Sequence, residues 1–345
     1  MVTLPRARAS SMNTDDSECI GIVVIGRNEG ERLHRCLASV TGQGHAVVYV
    51  DSGSTDGSVD LATAMGAAVV ALDRERPFTA ARARNAGVER LRRLAPEVDR
   101  VQFIDGDCEL ANGWLAKAAA ALDADPTLAV VCGRLRERHP EASVYNRLCD
   151  IEWNTPVGAA DTSGGIAMMR VQDFESVGGF NPELIAGEEP DLCLRLRQRG
   201  YCILRVDAEM STHDASMTRF GQWWRRTVRS GHAYAEGYSR HRREPGRHYA
   251  RQVSSNLSWG TLLPAVALAL LWPSHGWSLL LLLGYPLLAL RVYGSSRRRG
   301  LPAADARWFA VSCVLGKLPS AYGQLRYWAL SWLGQRSGLI EHKQP

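Results

Sequence analysis

The chain is 345 residues long, and much of its character lies in what is missing. Its opening stretch, Met1 to Ser17, has no apolar core, so it does not read as a secretory leader. We expect residues 1–18 to form a disordered tail and the domain that follows to stay cytoplasmic. The eight cysteines at 19, 36, 108, 132, 149, 193, 202 and 313 form no CxxC pair and show no His/Cys zinc spacing. That excludes a recognisable disulfide framework or zinc module and predicts reduced, mostly buried thiols. The first apolar run ends in Gly26-Arg-Asn-Glu29 and not in a GxGxxG turn, which argues against a nicotinamide-dependent oxidoreductase. Charge is absent over one long segment, Gln252 to Leu290.

What is present is uneven. Hydrophobic residues make up 46% and charged residues 22%, with a net charge of +5, which excludes wholesale disorder. Eight of the ten tryptophans follow residue 222, and Arg219, Arg225, Arg226, Arg229, Arg240, Arg242, Arg243, Arg247 and Arg251 directly precede the charge-free segment. Basic residues beside an apolar stretch read as a surface for anionic lipid headgroups. Nucleic-acid binding is the weaker reading, because the aromatic residues there have apolar neighbours.

From Ile20 onward, short β-rich runs alternate with helix-like stretches. The strands are expected at Ile20–Ile25, Ala46–Val50, Ala67–Ala71, Val101–Ile104 and Leu128–Cys132, with helices such as Glu31–Val40, Gly57–Met65 and Thr79–Leu94 between them. This alternation predicts βαβ units and an α/β fold with a largely parallel sheet. Ligands in such sheets bind beyond the carboxyl ends of the strands, so the polar residues there carry the interest.

After the second strand comes Asp51-Ser-Gly-Ser-Thr-Asp56, able to hold a ribose or a base through its carboxylates, or to form a turn capped by Thr55 or Asp56. After the fourth comes Phe103-Ile-Asp105-Gly-Asp107. Two carboxylates one glycine apart repel when desolvated unless a divalent cation joins them; a solvated Asp-Gly turn is the plainer alternative. Oxygen ligation with substrate phosphates would favour Mg2+ or Mn2+.

Together, Arg27-Asn-Glu29, Asp51-Ser-Gly-Ser-Thr-Asp56, Ala83-Arg-Asn-Ala-Gly87, Asp105-Gly-Asp107, Gly164-Gly165…Arg170…Val177-Gly-Gly-Phe180 and Gly187-Glu-Glu-Pro-Asp191-Leu-Cys-Leu-Arg-Leu196 resemble the family 2 glycosyltransferases of the GT-A fold, of the bacterial membrane-associated type. The resemblance runs in order from about residue 20 to about residue 215. It implies a nucleotide-diphospho-sugar donor, a divalent metal (Mg2+ or Mn2+) and transfer to an acceptor hydroxyl with inversion. By the same resemblance Arg27, Glu29, Asp51, Asp56, Arg84, Asn85, Asp105, Gly164 and Gly165 would line the donor site. Asp107 would be the direct metal ligand, with Asp105 beside it.

Where the family has Glu-Asp, this chain has Glu188-Glu189. Glu189 is then the expected general base, one methylene longer than usual, with Glu188 second; Asp191 would cap or orient a helix over Leu192–Arg199. His213 is a possible third metal ligand or a hydrogen-bonded core histidine. Gln222-Trp-Trp-Arg225-Arg226 resembles the Gln-x-x-Arg-Trp element of processive synthases, but in the wrong order, and implies no processivity.

The charge-free stretch breaks at Pro273-Ser-His-Gly276 into Leu257–Trp272 and Trp277–Leu290, each shorter than the roughly 20 residues of a comfortable span. It predicts a short membrane hairpin, a re-entrant pair or a buried soluble hairpin. Arginines on both flanks put both cytoplasmic if it spans. Ala303 to Gly334 mixes tryptophans with Lys317 and Arg326, as an interfacial helix or an imperfect third span would.

The expected organisation is thus a GT-A domain over 19–215, a basic amphipathic linker over 216–255, a membrane hairpin over 256–293 and membrane-associated helices over 294–345. The partners would be the donor, a lipid-linked or glycan acceptor and membrane lipids, in cell-envelope glycan synthesis at the bacterial inner membrane. The competing reading is a catalytically silent membrane scaffold.

Overall fold

The computed structural model describes residues 20–42, 45–244, 248–335 and 338; the expected tail, Cys19 and Arg247 lie outside them. Nine strands form one sheet: β1 Ile20–Gly26, β2 Ala46–Asp51, β3 Ala68–Ala71, β4 Arg100–Asp105, β5 Cys108–Leu110, β6 Leu128–Glu137, β7 Gly158–Ala159, β8 Ala167–Arg170 and β9 Cys202–His213. Their order is β3-β2-β1-β4-β8-β6-β9-β5, with β7 beside β9. The half from β3 to β4 is parallel, as expected for strands that are apolar on both faces. Beyond β4 the sheet is mixed. β8 runs antiparallel to β4 and β6, β5 and β7 run antiparallel to β9, and β6 and β9 are parallel.

Helices cover the sheet by apolar stripes at helical spacing. In Glu31–Val40 the buried residues are Leu33, Cys36, Leu37 and Val40, one face of a 3.6-residue repeat. In Ala80–Leu94, Thr79 caps the first turn by accepting from Arg82 N at 3.2 Å. Gly87 in that helix has no room for a side chain, because a Cβ would sit 2.3 Å from Val23 Cγ1. The helix therefore lies against β1 and sets the height of Arg84 above the sheet edge. The helix expected over Leu192–Arg199 begins a turn earlier, at Glu188, and runs to Gln198. Asp191 is thus inside its first turn and not ahead of it. The seven described cysteines are all free, and five of them are buried.

The segment expected as a linker is built of helices docked on the domain. Helix Phe220–His241 brings Trp223 into a small core with Cys149, Ala215 and Met217. Helix Ala250–Leu257 continues through a π-helical turn, Ser258–Leu262, into Leu263–Ala269. The chain reverses at His275 and Gly276, both at positive φ. The second arm, 3-10 over Trp277–Leu283 and α-helical over Gly284–Arg298, runs past the expected end at Leu290. Among the described residues, Trp277–Arg298 is the one stretch, 22 residues, long and apolar enough to cross a membrane. The arms are tied by Ser278 Oγ donating to Ala267 O and Tyr285 OH to Trp259 O, while Trp272 and Trp277 are 92% and 72% exposed.

Helices Ala303–Leu315 and Lys317–Trp332 close the fold. Arg147 grips Asp305 by two hydrogen bonds of 3.0 Å, fixing the first of them to the sheet domain. Lys317–Trp332 crosses Phe220–His241 at small residues; a Cβ on Gly231 would meet Ser320 O at 2.1 Å, and one on Gly323 would meet Val228 O at 2.1 Å. This contact generates a paired test. Gly231→Ala should force the helices apart and cost about 1–3 kcal/mol. Gly221→Ala on the same helix, where a Cβ meets nothing within 4 Å, should be neutral or stabilising by up to about 1 kcal/mol. Thermal unfolding of the two variants in detergent checks the sign of each.

Candidate active site

Four segments converge at the carboxyl edge of β1, β2 and β4. The loops after β1 and β2 are stitched to each other. Thr55 N donates to Asn28 Oδ1 at 2.7 Å and Gly30 N to Asp56 Oδ2 at 3.0 Å. Asp56 also accepts from Ser58 N and Oγ. Burial acts to raise its carboxyl, but the hydrogen bonds from Ser58 and Gly30 together outweigh it and hold it below its ordinary value. Asp51 is buried and accepts from Gly53 N and Ser54 N at 2.9 Å and from Tyr49 OH at 3.2 Å. Both acids therefore build the turn. Glu29 pairs with Arg32 at 2.8 Å, and exposed Arg27 lies 5.7 Å from the Phe78 ring centroid.

The two acids at the end of β4 part company. Asp105 accepts from Arg84 Nη2 at 3.0 Å, and Arg84 Nη1 donates to Glu188 at 2.7 Å. The guanidinium is itself buried and rests over Phe180, 5.4 Å from the ring centroid. Burial alone would raise the Glu188 carboxyl, but Arg84 and Arg229 outweigh it and hold it below its ordinary value. The same two acids raise the Arg84 guanidinium against its own desolvation. Asn85, expected near the donor, clamps the backbone of Phe180, donating to its carbonyl at 2.7 Å and accepting from its N–H at 3.0 Å. Gly164 and Gly165 both have positive φ, and a Cβ on Gly165 would stand 3.3 Å from Arg84 Nη2. Glycine there leaves the guanidinium its place.

Asp107 turns to the far side. β5 and β9 place Cys108 opposite His213, and β6 and β9 place Glu137 opposite the same histidine. His213, the last residue of β9, lies with Nε2 3.2 Å from Asp107 Oδ2. Its buried Nδ1 has no hydrogen-bond partner and is 3.8 Å from Glu137 Oε2. Trp153 meets the imidazole edge-on at 4.7 Å. The ligand atoms of Asp107, Cys108 and His213 all lie within 4.8 Å of one another. Burial pushes the Cys108 thiol well up, and it donates to Asp107 Oδ1 at 3.5 Å. A carboxylate oxygen and an imidazole nitrogen in one buried corner suit a Mn2+ or Mg2+ ion that keeps other positions for phosphate oxygens.

Glu189, also buried, accepts at Oε1 from Ser163 N at 2.6 Å, Ser163 Oγ at 2.9 Å and Cys193 Sγ at 2.9 Å. Sequence reasoning missed Ser163, Cys193, Glu137 and Trp153. Only Cys193 left a signal, four residues after Glu189 on one helix face; the others are brought in by strand register and loop path.

The Arg84 bridge has a pH signature. Because the folded Glu188 carboxyl is lowered, its stabilisation is complete above the ordinary glutamate value of 4.5 and is lost as pH falls through the folded value. Arg84→Met leaves two acids unpaired and should cost about 3–5 kcal/mol near neutrality. Denaturant melts across pH should show that deficit shrinking below the ordinary glutamate value.

Several known proteins resemble this chain in sequence or fold. Residues 21–177 match the family model described as glycosyl transferase family 2, and residues 149–219 that described as the N-terminal domain of galactosyltransferase. Glycosyltransferase AglE of Haloferax volcanii is 24% identical over 226 residues, 61% of this chain and 71% of that protein. The pre-mycofactocin glycosyltransferase of Mycobacterium tuberculosis is 27% identical over 235 residues, 64% of this chain but only 48% of that protein. Among solved structures, the mannosyltransferase PcManGT from Pyrobaculum calidifontis, in complex with GDP-Man and Mn2+, superposes with a TM-score of 0.59 at 19% identity, covering 89% of this chain and 87% of that one. The likeness to PcManGT shows the GT-A architecture, and residues 21–177 of this chain form a glycosyl transferase family 2 domain.

Proposed function

We propose that the protein transfers a sugar, with inversion, from a nucleotide-diphospho-sugar to a hydroxyl of a lipid-linked or glycan acceptor in cell-envelope glycan synthesis. The observation that carries this reading is the divergence of Asp105 and Asp107, one onto Arg84 and Glu188, the other onto His213. Asp107 and His213 would hold the metal, with Asp105 turned toward the donor sugar and ribose. A divalent cation bound there supplies charge neutralisation for the departing nucleoside diphosphate. Arg27, Glu29, Asp51 and Asp56 frame the nucleotide end, the last two by holding the loop backbone in place. Gly164 and Gly165 let main chain approach the sugar closely.

Glu189 takes the acceptor proton. Its three protein donors all reach Oε1, so Oε2 is the oxygen that meets the acceptor hydroxyl. As the acceptor oxygen bonds to the anomeric carbon, the bond to the diphosphate breaks on the opposite face and the proton passes to Glu189. Glu188 is the poorer base because Arg84 holds its anion. Turnover with Mn2+ or Mg2+ tests the assignment. Glu189→Gln should lower kcat by about 10²–10⁴ with donor KM retained, and Asp107→Asn should abolish the response to metal. An inert wild type would instead support the silent scaffold, and variants as active as wild type would overturn the roles given to Glu189 and Asp107.

The apolar hairpin supports placement at the bacterial inner membrane with the catalytic domain on the cytoplasmic side. Trp277–Arg298, a 22-residue stretch of 3-10 and then α-helix, extends roughly 36 Å, against a hydrocarbon core of about 30 Å. Brominated lipids in vesicles should therefore quench the fluorescence of a variant that keeps only Trp272 and Trp277, and leave one that keeps only Trp114 unchanged.

A further inference from the structure

Between the C-terminal helices and the catalytic domain lies a cavity of about 330 Å3, whose walls include Glu152, Arg226, Tyr234, Asn256 and Lys317. Its charges do not balance. Arg226 donates to Glu152 at 2.7 Å. The Lys317 ammonium donates to Ser255 Oγ at 2.9 Å and Asn256 Oδ1 at 3.1 Å, both neutral, and among the described residues no carboxylate pairs with it. An ammonium has three donors, and withdrawing one from water without an anion is costly. The surroundings make the placement more telling. Leu315 and Leu318, on either side, are 46% and 42% exposed, while Lys317 turns inward. Its backbone is fixed by Gly260, where a Cβ would lie 2.2 Å from Lys317 O.

The cavity also lies next to the chemistry. Glu152 on its wall precedes Trp153, whose ring packs on His213. Tyr234 on another wall packs on Tyr249 at 4.9 Å. Gly316 and Lys317 of its lining are flanked in the chain by the exposed Leu315 and Leu318. We propose that this cavity binds the phosphate of a membrane lipid that bears the acceptor, with Lys317 and Arg226 on the phosphate oxygens and the lipid chain running out over Leu315 and Leu318. The word acceptor rests on the function proposed above; the anion site does not.

The test is direct binding to the full chain in phosphatidylcholine nanodiscs, followed by the fluorescence of Trp223, which lines the cavity. The probes are a polyisoprenyl phosphate, phosphatidylglycerol and inorganic phosphate. We expect saturable binding of the polyisoprenyl phosphate, weakened at least about tenfold by Lys317→Met and largely kept by Lys317→Arg, which controls for folding. Equal binding by Lys317→Met and wild type would overturn the site. Equal affinity for phosphatidylglycerol would overturn the acceptor assignment and leave a site for bulk anionic lipid. Binding of inorganic phosphate alone, with the same Lys317 dependence, would overturn the lipid. Since binding is read without turnover, a failed site and a failed glycosyl transfer give different results.

Discussion

The candidate site depends on one buried guanidinium. Arg84 joins Asp105, at the end of a central strand, to Glu188, at the start of a helix more than 80 residues later in the chain. Removing Arg84 and Glu188 from water is unfavourable, and close, hydrogen-bonded pairing offsets it, with the partly exposed Asp105 on the other side of the guanidinium. The protein secures that pairing from several directions. The Thr79-capped helix carries the arginine and Phe180 supports its plane. Asn85 holds Phe180 by two hydrogen bonds, and Gly165 keeps the fourth side open. Phe180 in turn belongs to an aromatic trio with Phe103 and Phe174, at centroid distances of 5.3 and 5.4 Å. Residues of no chemical use to a sugar thus decide where the acids stand.

The same helix start is where the catalytic domain meets the C-terminal helices. Gly187, at positive φ, would put a Cβ 3.2 Å from Ala233. Asp191, one turn on, is shared between Arg195 and His241. Burial would lower the His241 imidazole, but Glu244 and Asp191 outweigh it and raise it. Together with the Arg147–Asp305 and Arg226–Glu152 pairs, these contacts join the apolar helices rigidly to the site. A segment that reads as a linker from its arginines is therefore a structural wall of the enzyme.

What was legible follows from the range of the interactions. Strand and helix positions through residue 132 depend on local apolar patterns, and the structure moves their ends by a residue or two, apart from β6, which runs on to Glu137. The acids at strand ends were legible because a parallel sheet brings such ends to one edge. The shorter strands were not, since β5, β7 and β8 have two to four residues and owe their pairing to β9, β4 and β6. For the same reason sequence alone left His213 open between ligand and core residue, and gave no sign of Glu137 behind it. Asn85, Asp51 and Asp56 also hold backbone, a task that the sequence did not reveal. Short polar side chains beside a site tend to serve the backbone first.

The Glu-for-Asp exchange at 189 gains a physical account from its partners. Ser163 offers both its N–H and its hydroxyl, and Cys193, one helical turn on, offers its thiol to the same oxygen. Burial and the adjacent Glu189 push the Cys193 thiol well up, so it stays a donor. An aspartate here would end one methylene short of that set. On the proposed function an aspartate could keep the anchor or approach the acceptor, whereas the longer side chain does both, with Oε1 fixed and Oε2 presented. The donors at 163 and 193 thus suit a glutamate at this position.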